Sequence, residues 1–332
     1  EIYELPGKNQ IAICHSDRLS AFNRYICDIQ DKGAILSAIT EDWFKKIEAN
    51  RELDVKTHYV WSKDNVIIAK RCKVFPIEFV VRAYMAGNTA TSIWTMYKNG
   101  KRDMYGINWR DGYKKHERLD EIVITPTTKS EQDSPISLTE ILEKGLMTPE
   151  QLAEVTKKAL RLFKFGEETV KAKGLILADT KYEFGLYTDP DTQKEEILLV
   201  DEVHTCDSSR FWKSSTYTER FNAGLTPDIL DKDVVRNYIK RTVTDPYTVS
   251  VFEIPEDLKS STENAYRLFY NILTMKYWKH NSTSCRLNVK DIVNHSCDDY
   301  THNENIYEHE REMAEMETRK KCEETIDGYL HL

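Results

Sequence analysis

The sequence predicts a mixed helix-and-strand protein in two domains, and three features carry that expectation. Residues 1–82 are rich in short β-branched runs, residues 137–173 hold two clearly signalled helices, and residues 174–204 read as a strand hairpin lined with acids. At 332 residues the chain also exceeds the size at which one hydrophobic core usually keeps growing.

In chain order, IAICHS, VIIAKRCKV and EFVVRAYMAG read as half-buried strands. Between the first two lies AILSAITEDWFKKIEAN, whose apolar residues at 35, 36, 39, 43, 44 and 47 fall on one face of a helix. Gly7-Lys8 reads as a hairpin turn. Residues 98–135 are expected to be loops, punctuated by Gly100, Gly106, Gly112, Pro126 and Pro135. Ser137-Leu-Thr-Glu140 is a capping box opening a short helix. Thr148-Pro149-Glu-Gln151 opens a longer one, expected to run to about Lys173 and stop at Gly174. GLILADTKYEFGLY and EILLVDEVH are then two strands joined by the turn TDPDTQKE. A helix is expected from Asp231 or Lys232 through Arg241. Another, AYRLFYNILTMKYW, follows a cap at Ser260-Ser-Thr-Glu263.

Bulk properties narrow the function. The net charge of −8 argues against a nucleic-acid partner, which calls for a basic face. Nine acids against four bases in residues 300–332 account for most of it, so the main body is near neutral and suits small anionic substrates. No apolar run reaches the roughly 20 residues of a membrane span. Seven cysteines, at 14, 27, 72, 206, 285, 297 and 322, form no paired framework. Together with the lack of a charged-then-apolar leader, this leads to the expectation of a cytoplasmic protein with reduced thiols.

The chemistry concentrates in Leu175–Glu202. Alternation along a strand puts Asp179, Lys181 and Glu183 on one face, with Leu177 sharing their parity and Ile176, Ala178, Tyr182 and Phe184 on the other. Asp201 in the returning strand lies across from this row if the register is even. Carboxylates so gathered repel unless a cation joins them, and Mg²⁺ takes such carboxylates together with phosphate oxygens. A solvated face with cross-strand ion pairs is the competing reading. Downstream, Asp207, Ser208 and Ser209 form a turn able to cap a helix or meet an anion. Arg210 offers a planar fork for phosphate or carboxylate, and its neighbours Phe211 and Trp212 imply partial burial.

ILADTKYEFG followed by VDEVHTCDSSRFW resembles the signature of the phosphoribosylaminoimidazole-succinocarboxamide (SAICAR) synthases. SDRLSAFNRYI, KVFPIEFVVRAYMAGN and ITPTTKSEQDSPIS follow the family's order, so the resemblance spans roughly residues 1–280. It implies an α+β fold with a nucleotide cleft between a smaller N-terminal sheet domain, 1–82, and a larger α+β domain, 83–280. It also implies an ATP-dependent ligase of purine biosynthesis. Such an enzyme condenses 5-amino-1-(5-phosphoribosyl)imidazole-4-carboxylate with L-aspartate through an acyl phosphate, giving SAICAR, ADP and phosphate. Glu183 and Asp201 would hold Mg²⁺, with Asp179 and Glu202 close to metal and nucleotide. Lys181 and Asp179 would be catalytic, and Lys181 would face the carboxylate and the transferring phosphoryl group. Arg82, Arg210, Asn88 and Ser208 would bind the ribonucleotide, and Lys129 and Asp133 would lie by the imidazole and aspartate. The backbone around Glu78 and Phe79 would be the hinge that receives adenine, with Asp201 and Glu202 also contacting ATP.

Asn88 stands where the family commonly has Ser, and Asn23 where it has Asp. The family's Gly-Lys segment over the ATP phosphates would precede Ile2, so it lies upstream of Glu1 or nucleotide binding is weakened. Residues 281–332 form an acidic extension without counterpart. Its Cys285, His295, Cys297 and His302 match no common zinc spacing, and its last stretch reads as a solvated or partner-binding helix. The alternatives are an ATP-dependent small-molecule kinase and a family member with weakened catalysis.

Overall fold

The computed structural model describes residues 1–5, 9–22, 24–89, 91–129, 134–229, 233–243 and 253–278. The strands are β1 (Ile2–Glu4), β2 (Gln10–Cys14), β3 (Arg18–Ala21) and β4 (Arg24–Asp28), followed by α1 (Lys32–Ala49). Then come β5 (Tyr59–Lys63), β6 (Val66–Lys70), β7 (Lys73–Val74), β8 (Ile77–Tyr84) and α2 (Ile93–Lys98). The next group is β9 (Asp103–Met104), β10 (Ile107–Asn108), β11 (Arg118–Ile124), β12 (Thr127–Thr128), α3 (Leu138–Glu143) and α4 (Pro149–Lys171). The last is β13 (Leu175–Thr188), β14 (Glu195–Val200), β15 (Ser209–Lys213), α5 (Ser214–Asn222), α6 (Asp233–Thr242) and α7 (Glu256–Thr274).

These elements make the α+β fold expected from the sequence. An antiparallel four-stranded sheet has the order β1-β2-β6-β5. A seven-stranded sheet is built on β11-β8-β13-β14, with β12 added to β8 and with β7 and β15 added to β13. Strand β13 is long enough to take two partners on each edge. Its first half pairs with β8 and β15, its second with β7 and β14. The chain crosses from the first sheet to the second at Arg71–Cys72, between β6 and β7.

The helices form for the reasons their sequences announce. In α1, Ile35, Leu36, Ile39, Trp43, Phe44 and Ile47 are all buried as one stripe. Each such side chain contributes about 1.5–3 kcal/mol, so Ile39→Ala should cost about 2–5 kcal/mol. Both capping boxes are present, Ser137 with Glu140 and Thr148 with Gln151, and α4 ends at Lys171 before the turn at Gly174. The turn after β13 is closed by Asp189, whose Oδ1 accepts from Asp191 N at 3.1 Å and Thr192 N at 2.8 Å.

Four expectations need correction. Helix α7 starts at Glu256 rather than after Ser260, because Pro255 begins it and two acids fill its first turn; Thr262 lies inside it, bonded to the Leu258 carbonyl. The supposed loop 98–135 contains β11, whose outward Asp120 and Glu121 disguised the strand. Strand β14 ends at Val200 instead of continuing to His204. Residue 82, expected as a domain boundary, lies inside β8, which bonds to β13 from Phe79 to Arg82. Gly7-Lys8, Asn23 and the extension from 281 lie outside the described residues. Among the described residues no helix is long and apolar enough to cross a membrane.

Candidate active site

The site grows from two irregularities in β13 and β14. Leu177 pairs with Phe211 and Asp179 with Arg210, so Ala178 is an extra residue in β13. Directly opposed residues share a face and Phe211 and Arg210 do not, so Leu177 faces away from Asp179. The parity expected from strict alternation is therefore corrected. The second irregularity concerns Asp201. Glu183 pairs with Val200, a register that would set Asp201 opposite Tyr182, on the wrong face. Asp201 instead takes φ 65°, leaves the strand and swings its carboxylate to 3.8 Å from Lys181 Nζ. Asp tolerates this left-handed conformation better than most residues. Turn geometry, not an even register, brings Asp201 to the row.

Two adjacent charge cells result. In the first, Asp179 lies between two guanidinium groups. Its Oδ2 accepts from Arg82 Nη1 at 3.1 Å, and both its oxygens accept from Arg210 Nη1 at 2.8 Å. Strand pairing places it there, since Arg82 and Arg210 are its cross-strand neighbours on opposite edges. Arg82 is further fixed by Thr125, whose Oγ1 accepts from Nε at 2.7 Å. All three side chains are largely buried, at 5% exposure for Asp179, 8% for Arg82 and 15% for Arg210.

In the second cell Lys181 Nζ is the hub. It reaches Glu183 Oε1 at 2.8 Å, Glu78 Oε1 at 3.0 Å and Asp201 Oδ2 at 3.8 Å. Lys129 Nζ donates to the other Glu183 oxygen, and Thr127 donates to Glu78 Oε2 at 3.0 Å. Burial disfavours the Lys181 charge, but Glu183, Asp201 and Glu78 outweigh it and hold the ammonium above its ordinary range. Burial would likewise raise Glu183, yet Lys181 and Lys129 prevail and keep it below its ordinary value. Asp201 is pushed up, by the protein crowded around it and then by Glu183, against the pull of Lys181 and Lys129.

The loop after β14 closes the cell. Thr205 Oγ1 donates to Glu202 Oε2 at 2.6 Å and accepts from the amides of Asp207 and Ser208 at 3.2 Å. The Ser208 carbonyl accepts from Lys181 N at 3.0 Å, so loop and strand are joined through the backbone. Residues 206–208 turn directly into β15, not into a helix.

The structure thus unites Arg82, Asp179 and Arg210, and beside them Glu78, Lys129, Lys181, Glu183 and Asp201, with Ser208 and Glu202 in the closing loop. Asn88 lies apart, with Lys115 and α6. Its Nδ2 donates to Asn237 Oδ1 at 3.2 Å, its Oδ1 accepts from Lys115 at 3.4 Å, and its carbonyl accepts from Lys240. Gly87 before it is obligatory, since at φ 116° an added Cβ would lie 2.3 Å from the Ser92 Cβ. Asp133 lies outside the described residues.

In β8, Glu78 pairs with Thr127 of β12 and Phe79 with Tyr182 of β13. The Phe79 side chain is in the core, edge-on to Phe184. Glu78 contributes its carboxylate to the Lys181 cell, and Lys129 meets Glu183. Sequence reasoning missed Thr125, Thr127 and Thr205, whose alternation in ITPTT and place before CDSS were the available signals. It also missed Lys115, Asn237 and Lys240, which nothing local marks.

Residues 1–250 match the family described as SAICAR synthetase. The chain belongs to the SAICAR synthetase family. It is 43% identical over 279 residues to a putative phosphoribosylaminoimidazole-succinocarboxamide synthase 2 of Agrobacterium fabrum, covering 82% of this chain and 84% of that one. A chloroplastic phosphoribosylaminoimidazole-succinocarboxamide synthase of Arabidopsis thaliana is 43% identical over 277 residues, 82% of this chain and 64% of the relative. Among solved structures, the SAICAR synthase of Saccharomyces cerevisiae in complex with SAICAR has a TM-score of 0.69 at 29% identity, covering 84% of this chain and 93% of that one. SAICAR synthetases are ATP-dependent ligases of purine biosynthesis, and neither the kinase nor the weakened-member alternative is favoured.

The donor set suits the cation that the family reading calls for. Among the described residues no group of three or more His, Cys, Asp or Glu side chains is arranged to hold a metal. Glu183 and Asp201, however, turn one oxygen each toward the same ammonium, at 2.8 and 3.8 Å. Both are hard oxygen donors, the type that Mg²⁺ takes together with water and phosphate oxygens in phosphoryl-transfer sites.

Proposed function

We propose that this chain joins L-aspartate to the carboxylate of 5-amino-1-(5-phosphoribosyl)imidazole-4-carboxylate, using ATP and Mg²⁺ and passing through an acyl phosphate. The observation that supports it most is the pair of charge cells on one strand, built around Asp179 and Lys181. A carboxylate resists attack by an amine until one of its oxygens leaves as phosphate. The enzyme must therefore hold an anionic acceptor beside a phosphoryl donor.

In this reading Arg82 and Arg210 bind the anionic ribonucleotide, and Asp179 is a positioning residue that fixes both guanidinium planes. It touches no reacting atom, which revises the catalytic role expected of it. Lys181, held protonated, neutralises charge on the carboxylate and on the phosphoryl group as it passes between them. Glu183 and Asp201 would hold Mg²⁺, which supplies charge neutralisation on the ATP phosphates. Lys129 and Glu78 keep those carboxylates and Lys181 in place. Ser208 and Glu202 line the closing loop, and Asn88, with Lys115 and Lys240, offers a second anion-binding corner at the phosphate end. The aspartate amine then attacks the acyl carbon, phosphate departs, and the amide remains.

In the same reading the nucleotide cleft lies between the four-stranded and the seven-stranded sheet, where the chain crosses at Arg71–Cys72. A cytoplasmic location belongs to the same proposal and is supported by the free thiols of Cys14, Cys27 and Cys72. An ADP-release assay with aspartate and ribonucleotide omitted in turn tests the reading. Full release requires both substrates; ADP release at full rate with no aspartate, yielding a stable phosphorylated product, would make the protein a kinase.

A further inference from the structure

A cluster behind the site has no part in the chemistry above. His204 is fully buried at φ 50°, and its Nε2 is hydrogen-bonded to the Tyr182 hydroxyl. The ring stands edge-on to Trp43 of α1 at 4.4 Å between centroids. It also rests on Gly166 of α4, where an added Cβ would lie 2.3 Å from its Cε1. A helix interior is otherwise a poor place for glycine, so the absent Cβ has a local reason. Three separate elements, α1, α4 and β13, thus converge on one imidazole in the loop that carries Asp201, Glu202 and Ser208.

The register explains why such a brace is required. Continued by one residue, the β13–β14 ladder would place Asp201 opposite Tyr182, facing the core. The chain breaks away at Asp201, and Tyr182 finds His204 as its partner instead. We infer that the Tyr182–His204 hydrogen bond, seated on Gly166, is a positioning device that holds the Asp201–Ser208 loop in its left-handed course and so presents Asp201 to the site. The inference rests on the ligase reading for its consequence but not for its geometry.

Tyr182→Phe removes the hydroxyl alone, and Gly166→Ala keeps both partners while pushing the ring from its seat. Two readouts separate this role from mere core packing. The first is hydrogen exchange of amides 201–208 in the ligand-free chain. It should accelerate several-fold in both variants, as expected when a buried hydrogen bond is lost, while β8 stays protected. The second is calorimetric affinity for Mg²⁺·ADP, which should weaken on the order of tenfold, as for other residues that orient metal ligands. The KM for the ribonucleotide should change less than the Mg²⁺·ADP affinity, because the Arg82–Asp179–Arg210 cell is untouched and only Ser208 of the loop belongs to that pocket. Lower melting temperatures with wild-type exchange at 201–208 and wild-type Mg²⁺·ADP affinity would overturn the inference. If the unmodified chain bound no Mg²⁺·ADP, the ligase reading would fall, and the exchange measurement would still decide the loop's anchoring.

Discussion

Replacing Asp179 with Asn tests the arginine cell more sharply than any other single change. The substitution keeps shape and volume but removes the carboxylate that bridges Arg82 and Arg210, whose side chains are 8% and 15% exposed. It also turns an amide N–H₂ toward donors that have been bonding to oxygen. Breaking a buried ion pair from one side typically costs about 3–5 kcal/mol, because the remaining charge stays desolvated. Arg210 retains some access to water, so the lower end, about 3 kcal/mol, is expected. In a chain of this size that corresponds to a melting temperature lower by roughly 4 °C. An anion bound between the guanidinium groups would restore the missing charge. Inorganic phosphate should therefore raise the melting temperature of Asp179→Asn more than that of the unmodified chain. Differential scanning calorimetry with and without phosphate gives both numbers. A variant melting within about 2 °C of the unmodified chain, with no added benefit from phosphate, would refute the reasoning.

Other outcomes follow from the same geometry. Glu183→Gln and Asp201→Asn should each nearly abolish turnover with the fold intact, since each removes several kcal/mol of charge stabilisation; steady-state rates and circular dichroism check this. Arg210→Lys should raise the KM for the ribonucleotide, because an ammonium cannot fork around an anion as a guanidinium does. Burial lowers the pKa of His15 and His58 to about 4 and that of His204 to about 3. The unfolded chain binds these protons first, so stability present above pH ~6.5 should be lost as pH falls toward 4, by up to about 1.4 kcal/mol per unit for each histidine. Urea unfolding at pH 7 and 5 should show this loss, and His58→Gln should make it shallower.

The sequence disclosed what repeats and what caps. The stripe in α1, the capping boxes at Ser137 and Thr148, and the row Asp179, Lys181, Glu183 were all legible, because each follows a local period or a fixed spacing. What stayed hidden was set by exceptions to those periods. The extra residue at Ala178 and the positive φ of Asp201 decide which side chains meet, and neither has a local mark. The place of the Glu78 carboxylate beside Lys181 was not legible, because it depends on the pairing of β8 with β13, about 100 residues away in the chain. The corner around Asn88 depends on α6, about 150 residues away in the chain, and no local pattern reports that distance.

The central claim is that the ribonucleotide carboxylate is activated as an acyl phosphate. Its most direct test uses a ribonucleotide whose carboxylate oxygens are ¹⁸O-labelled, turned over with ATP and aspartate, with the released phosphate analysed by mass spectrometry. The expected result is one ¹⁸O atom in each phosphate, because the carboxylate oxygen that accepts the phosphoryl group departs with it. Unlabelled phosphate accompanying amide formation would contradict the account.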